Sequence, residues 1–215
     1  MIRLGAERLG SVVAVGAHCD DIAIGAGGTL LALCLARPGI RVDALVLSGG
    51  GSEREQEERA ALAAFCPGAD LRLTVDKLPD GRLPAHWDEA KAAVEELRAQ
   101  TEPDLVLAPR TEDAHQDHRG LAKLMTTAFR DHLVLGYEIV KWDGDLGRPV
   151  VYQPLSPEIA EQKVQLLQEH YPSQQHRPWY DREAFLGLAR IRGIESNTRY
   201  AEAFAVTKLT LDLGE

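Results

Sequence analysis

Two short clusters in this 215-residue chain carry side chains that bind metals and move protons. His18-Cys19-Asp20-Asp21 sets an imidazole beside two adjacent carboxylates, and His115-Gln116-Asp117-His118 sets two imidazoles around a third. Two imidazoles and a carboxylate form a zinc site with a position left for water, as hydrolases require. Zinc lowers the pKa of such a water toward neutrality, and a carboxylate that is not a ligand can take its proton. Together the clusters offer more donors than zinc needs, so one aspartate is free to be that base. Singly, each is ordinary: a His-x-x-His is often a solvated loop, and paired aspartates after a strand are common turn and capping residues.

The elements around the clusters argue that they act together. Val12 to Val15 is an apolar run that stops at Gly16, the pattern of a buried strand. Strands buried on both faces belong to parallel sheets, whose ligands sit beyond the strands' carboxyl ends. Asp104 to Ala108 is a second such run, and it delivers the second cluster to the same sheet edge. Further strands are expected at Val42–Leu47, Leu71–Val75 and Val134–Val140. Between them, helices are expected at Thr29–Ala36, Glu53–Phe65 (with Ser52 and Glu55 in capping-box spacing), Trp87–Gln100 and from the second cluster to about Arg130.

This alternation predicts a doubly wound, mainly parallel α/β sheet with helices on both faces. Beyond Trp142 the rhythm breaks. Asp143-Gly144-Asp145 reads as a turn and Val150–Gln153 as a short strand. Ser156–His170 is a helix with Ser156 as cap and Pro157 at its first position, Asp181–Ile191 another helix, and Ala203–Leu211 a last strand. No repeat or linker divides the chain, so one domain is expected over 1–215, with the sheet core and both clusters in 1–142 and completing elements in 143–215.

A net charge of -9 argues against nucleic acid or an anionic membrane as the main partner. Three cysteines, Cys19, Cys34 and Cys66, suggest neither a disulfide framework nor a cysteine-built zinc site. No signal-peptide pattern opens the chain and no run of about eighteen apolar residues occurs, so a reducing cytoplasm is the expected compartment.

Ala17-His18-Cys19-Asp20-Asp21 followed by Gly25-x-Gly27-Gly28 resembles the Ala-His-Pro-Asp-Asp-x(3)-Gly-x-Gly-Gly signature of the PIG-L/LmbE-like zinc N-deacetylases. His115-Gln116-Asp117-His118 is similar to that family's His-x-Asp-His motif. Matches continue at Arg54-x-x-Glu57, Asp80-Gly81, Arg192-Gly193-Ile194-Glu195 and Ala201-Glu202-Ala203-Phe204, in order along nearly the whole chain. The resemblance implies a Rossmann-like fold and zinc as cofactor, other first-row ions being accepted by such a site. It implies His18, Asp21 and His118 as metal ligands and Asp20 as the general base that activates the attacking water. His115 would assist the tetrahedral intermediate or protonate the leaving amine, with Asp117 setting its orientation and pKa. Arg54 and Asp80 would hold substrate oxygens.

The chain departs from the pattern at Cys19, where the family has proline, and at Ile22, where an acidic residue is usual. Cys19 is expected as a buried space-filler, with a thiolate ligand or an oxidisable thiol as the sharper alternatives. The resulting expectation is hydrolysis of an N-acetyl group on a sugar or sugar conjugate, a small-molecule substrate. Trp142, Trp179 and Tyr180 could offer aromatic faces to it, and Arg54 could pair with a carboxylate or phosphate on it. The C-terminal third is left as a candidate surface for self-association.

Two other classes compete. A dinucleotide-dependent oxidoreductase would share the parallel sheet, but its glycines should form the first turn rather than follow a His-Asp-Asp turn. A glycosyltransferase could use Asp143-Gly144-Asp145 to hold a metal and a sugar nucleotide, although these are also common turn residues.

Overall fold

The structure, a computed structural model, describes residues 9–210. Five parallel strands, β1 (Ser11–Gly16), β2 (Arg41–Val46), β3 (Asp70–Val75), β4 (Leu105–Pro109) and β5 (Val134–Tyr137), alternate with helices α1 (Asp21–Ala36), α2 (Glu53–Phe65), α3 (Trp87–Gln100) and α4 (Gln116–Ala128). The chain finishes with β6 (Val151–Leu155), α5 (Pro157–His170), α6 (Arg182–Glu195) and β7 (Tyr200–Val206). The sheet order is β3-β2-β1-β4-β5-β7-β6, with β7 antiparallel to both β5 and β6. The order reverses between β1 and β4, and that crevice is where a doubly wound sheet binds its ligand.

Period-two alternation in β1 feeds two cores. Val12 and Ala14 face the side covered by α1 and α2, while Val13 and Val15 face the side covered by α3 and α4. Tyr137, Tyr171 and Phe204 complete the first core, and Leu121, Met125 and Phe129 the second.

Four expectations are corrected. The first helix starts at Asp21, not Thr29, so Gly25, Gly27 and Gly28 are helical. Packing overrides the helix penalty of about 1 kcal/mol per glycine: a Cβ at Gly25 would stand 2.6 Å from Tyr137 Cγ, and one at Gly27 2.8 Å from Phe65 Cε1. Ser52 caps α2 by accepting from Arg54 N at 3.2 Å, but Glu55 reaches back to the N–H of Gly51, at 2.6 Å, instead of closing the box. Pairing in β5 ends at Tyr137 rather than Val140, and the next residue, Glu138, forms a buried ion pair with Arg192. The last strand runs from Tyr200 to Val206, and Leu211, where it was expected to end, lies outside the described residues. Among those residues no helix is long and apolar enough to cross a membrane.

Candidate metal centre and active site

The loops after β1 and β4 converge as their strand ends require. Asp21 opens α1 with its carboxylate turned back, Oδ2 accepting from Ala17 N and His18 N, each at 2.9 Å. Nδ1 of His18 lies 3.5 Å from Asp21 Oδ2 and 3.1 Å from His118 Nε2, and that Nε2 lies 3.3 Å from Asp21 Oδ1. Donors bound tetrahedrally at roughly 2.0–2.1 Å stand about 3.3–3.4 Å apart, so the spacing suits an ion the size of zinc. The far nitrogen of each imidazole faces a carboxylate, the arrangement that orients metal-binding histidines. His18 Nε2 is 3.0 Å from Asp80 Oδ1 and 3.2 Å from Asp117 Oδ2. His118 Nδ1 is 3.1 Å from Asp113 Oδ1, too oblique for a straight hydrogen bond. By donor chemistry and by spacing, the residues fit a divalent cation.

Charge is balanced tightly here. Burial pulls the pKa of His118 down, but Asp21 and Asp113 outweigh it and lift it to about 9. His18 is raised in the same way, chiefly by Asp21 against its burial. Burial would raise Asp21, yet His118 and His18 hold it well below the usual carboxylate range. A cation in this position therefore meets an ionised carboxylate.

Asp20 sits beside this group in a left-handed conformation, φ 97°, rare for a residue other than glycine. Its N–H donates to Glu58 Oε2 at 2.8 Å, and its Oδ2 accepts from Arg54 Nη2 at 2.9 Å. Burial raises its pKa, with Asp21 adding to the rise, to about 6 despite Arg54. A carboxylate tuned near neutrality is suited to general-base work. Arg54 is engaged by protein groups on both arms: Nη1 binds Glu57 and Ser173, and Nη2 binds Cys19 O as well as Asp20.

His115 is the N-cap of α4, and its Nδ1 accepts from Asp117 N at 3.3 Å, which leaves the proton on Nε2. Burial, followed by His118 and His18, pushes its pKa down and keeps the ring neutral. Asp117, which the resemblance implies as the residue that orients His115, touches it through its backbone N–H, and its charge also acts on the ring. That carboxylate accepts from Gly81 N at 2.8 Å and Leu83 N at 3.1 Å and also meets His18. Asp80, expected at the substrate, has its own carboxylate against His18 Nε2. His18, His115 and His118 also stand close enough together to hold one ion, the His115 ring centroid 4.6 Å from that of His118.

Several residues escape a reading of the sequence. Glu58 is fully buried, and its Oε2 also accepts from Tyr171 Oη at 2.7 Å. Asp113, two residues before His115, is fully buried between His118 and Lys141. Its place in the polar run after β4 is a visible signal, whereas Glu58 is hidden in the charged stretch from Glu53 to Arg59. Asp145 of the Asp-Gly-Asp turn accepts from Ala114 N and pairs with Lys141 and Arg110, so it braces the loop before His115. Cys19 is buried against Ser48 O, and burial pushes its thiol well up, away from thiolate chemistry.

A cavity of about 410 Å³ opens over this group, lined also by Trp142, Arg177 and Trp179. Tyr180 stands behind it, buried, with its hydroxyl on Leu167 O. The dinucleotide alternative meets an obstacle: the backbone N–H groups at the first turn, where a pyrophosphate would sit, already bind Asp21.

A doubly wound sheet with His and Asp side chains gathered at its switch point is the form of an α/β enzyme, and the comparisons narrow it. The PIG-L family model, described as GlcNAc-PI de-N-acetylase, matches residues 13–129 and so covers both clusters. The chain belongs to the PIG-L family and is a hydrolytic N-deacetylase. It is 28% identical over 178 residues to YaiS, an uncharacterized deacetylase of Escherichia coli K12, covering 77% of this chain and 92% of that one. Its fold is similar to that of N,N'-diacetylchitobiose deacetylase from Pyrococcus horikoshii, with a TM-score of 0.74, 20% identity, and coverage of 94% of this chain and 85% of that one. It is also similar to the conserved protein TT1542 of Thermus thermophilus, with a TM-score of 0.73, 22% identity, and coverage of 95% of this chain and 97% of that one.

Proposed function

We propose that this protein removes the N-acetyl group from an N-acetylated amino sugar or sugar conjugate, with zinc as its metal. The observation that carries the reading is the juxtaposition of His18, Asp21 and His118, their donor atoms in contacts of 3.1–3.5 Å, with a buried, arginine-paired Asp20, at the floor of one cavity. Support for a sugar comes from the Pyrococcus relative, whose name specifies an N-acetylated disaccharide, and from two tryptophans at the cavity wall. Three buried free cysteines suit work in a reducing compartment such as the cytoplasm.

His18, Asp21 and His118 would hold the ion. Once bound, it supplies a Lewis acid for the amide carbonyl and a water acidified toward neutrality. Asp20, ionised and aimed by Arg54 and by the Glu58 contact to its N–H, takes the proton of the attacking water. Neutral His115 presents Nε2–H and donates a hydrogen bond to the oxyanion of the tetrahedral intermediate. As the C–N bond breaks, the carboxyl of Asp20 returns its proton to the departing amine, so that acetate and free amine leave. His115 is thus assigned to the oxyanion rather than to protonation of the departing amine, the role expected of it first, on the ground that its Nδ1 accepts from the backbone and its Nε2–H is the hydrogen-bond donor it presents.

The test pairs metal analysis with amine release from N-acetylglucosamine and its glycosides. Asp20→Asn should retain the metal and lose about 10²–10⁴-fold in turnover, whereas His118→Ala should lose the metal. Near-normal turnover in metal-loaded Asp20→Asn would remove Asp20 from the role of base.

A further inference from the structure

Three arginine or lysine side chains line the cavity, and two of them are committed to protein groups. Arg54 is held by Asp20, Glu57 and Ser173, and Lys141 Nζ by Asp113 and Asp145 at 3.1 and 2.8 Å. Arg177 differs. Its Nε donates to Gln174 Oε1 at 2.7 Å, and neither Nη group has a protein acceptor among the described residues. Arg177 is half-buried, and the remaining fork has the geometry that binds a carboxylate or phosphate with two hydrogen bonds.

The acidic groups of the cavity do not call for this arginine. Asp20 is matched by Arg54, and Asp143 lies 3.9 Å from Lys141 Nζ. Asp21 and Asp80 are engaged with His18. Arg177 is also positioned rather than loose. Gln174 is buried, and its Nε2 donates to Ser173 Oγ at 3.0 Å. Ser173 Oγ in turn donates to Glu57 and accepts from Arg54. A continuous hydrogen-bonded chain thus runs from the Asp20–Arg54 pair to the Nε of Arg177. Two residues further on, Trp179 lines the same cavity, and its indole Nε1 is buried with no acceptor among the described residues. Indole N–H only donates, and a buried donor left unmet is costly. The Arg177 fork is therefore a pair of donors with no protein partner among the described residues, at a cavity large enough for a sugar and a substituent.

We propose that Arg177 is a specificity residue and that the substrate is an amino sugar bearing an anionic substituent, a carboxylate or a phosphate, which the Arg177 fork binds. The inference rests on the deacetylase reading of the cavity. Its test is calorimetric binding of three glycosides that cannot turn over because they already carry the free amine: methyl glucosaminide, carboxymethyl glucosaminide and glucosamine 1-phosphate. In the metal-loaded wild type at least one anionic glycoside should bind about tenfold or more tighter than the methyl glycoside, equal to about 1.4 kcal/mol. The carboxymethyl and phosphate arms tell which anion is preferred. In Arg177→Gln that advantage should shrink to within about twofold, and Arg177→Lys should restore part of it, since a lysine keeps the charge without the fork. Equal binding of charged and neutral glycosides in the wild type, or an advantage that survives Arg177→Gln, overturns the proposal. Amine release from the three acetylated parents is scored separately. Release without anionic preference removes only Arg177's role, whereas no release from any parent counts against the deacetylase reading and the inference with it.

Discussion

Asp20 shows how much a single residue depends on neighbours that carry no chemistry themselves. A non-glycine residue in the left-handed region costs of order 1–3 kcal/mol and persists only where surrounding contacts fix it. Here Glu58 fixes it by taking the Asp20 N–H, with Tyr171 on the same oxygen. Burial, partly countered by these two donors, pushes the pKa of Glu58 up to about 8. An unfolded carboxyl titrates near 4.3. Between those values the unfolded chain releases this proton and the folded one keeps it, so Glu58's contribution to stability is full below about pH 4 and is lost as pH rises to about 8. Glu58→Gln, neutral at every pH, should remove that slope. Urea unfolding at about pH 5.5 and 8.5, an interval that spans most of that loss, should show the variant gaining on the wild type at the higher pH. A constant difference between them would mean that Glu58 is ionised in the fold. The two histidine clusters were legible because their residue types and spacing have few other uses. Glu58 was not, because most of its neighbours between Glu53 and Arg59 are charged as well, and only burial separates it from a solvated helix face.

Hydrophobic periodicity placed most elements within a few residues, since a half-buried helix or a strand buried on both faces imposes its own pattern. It failed at the start of α1. That helix is buried almost all round its first two turns, which erases the amphipathic stripe, and its glycines read as loop. Their reason is tertiary: the helix lies so close to the sheet that side chains of other elements fill the places of its missing Cβ atoms. Gly25→Ala should therefore destabilise the protein by about 1–3 kcal/mol, overpacking outweighing the better helix propensity of alanine. The neighbour cannot easily yield, because Tyr137 is pinned by its hydroxyl on Val15 O at 2.6 Å. Gly187, exposed in α6 with nothing within 4 Å of a Cβ, is the contrasting case. Gly187→Ala should stabilise by about 0.5–1 kcal/mol. Thermal unfolding of the two variants side by side checks both signs, and a stabilised Gly25→Ala would show that α1 can move off the sheet.

At the scale of the molecule, the sequence could not reveal how the last third joins the rest, because strand order and direction depend on contacts far apart in the chain. The structure inserts β7 between β5 and β6, and from it Glu202 reaches the middle of α1. Glu202 Oε1 accepts from Gly28 N at 2.8 Å and Oε2 from Thr29 N at 2.7 Å, while Lys163 of α5 donates to both Glu202 Oε1 and Ile24 O at 2.6 Å. The ion pair thus binds backbone groups of the helix that begins with Asp21, tying the C-terminal elements to the first His/Asp cluster. Breaking a buried pair from one side leaves an uncompensated charge, at a cost of about 3–5 kcal/mol, whereas removing both charges costs far less. Lys163→Met should accordingly lower stability by that amount, and Lys163→Met combined with Glu202→Gln should recover much of the loss. Glutamine keeps an oxygen for the N–H groups of Gly28 and Thr29, so the recovery isolates the stranded carboxylate as the cause. If urea unfolding instead shows the two substitutions to be additive, Lys163 and Glu202 act on α1 independently, and the C-terminal third is joined to the half that carries both His/Asp clusters by packing alone.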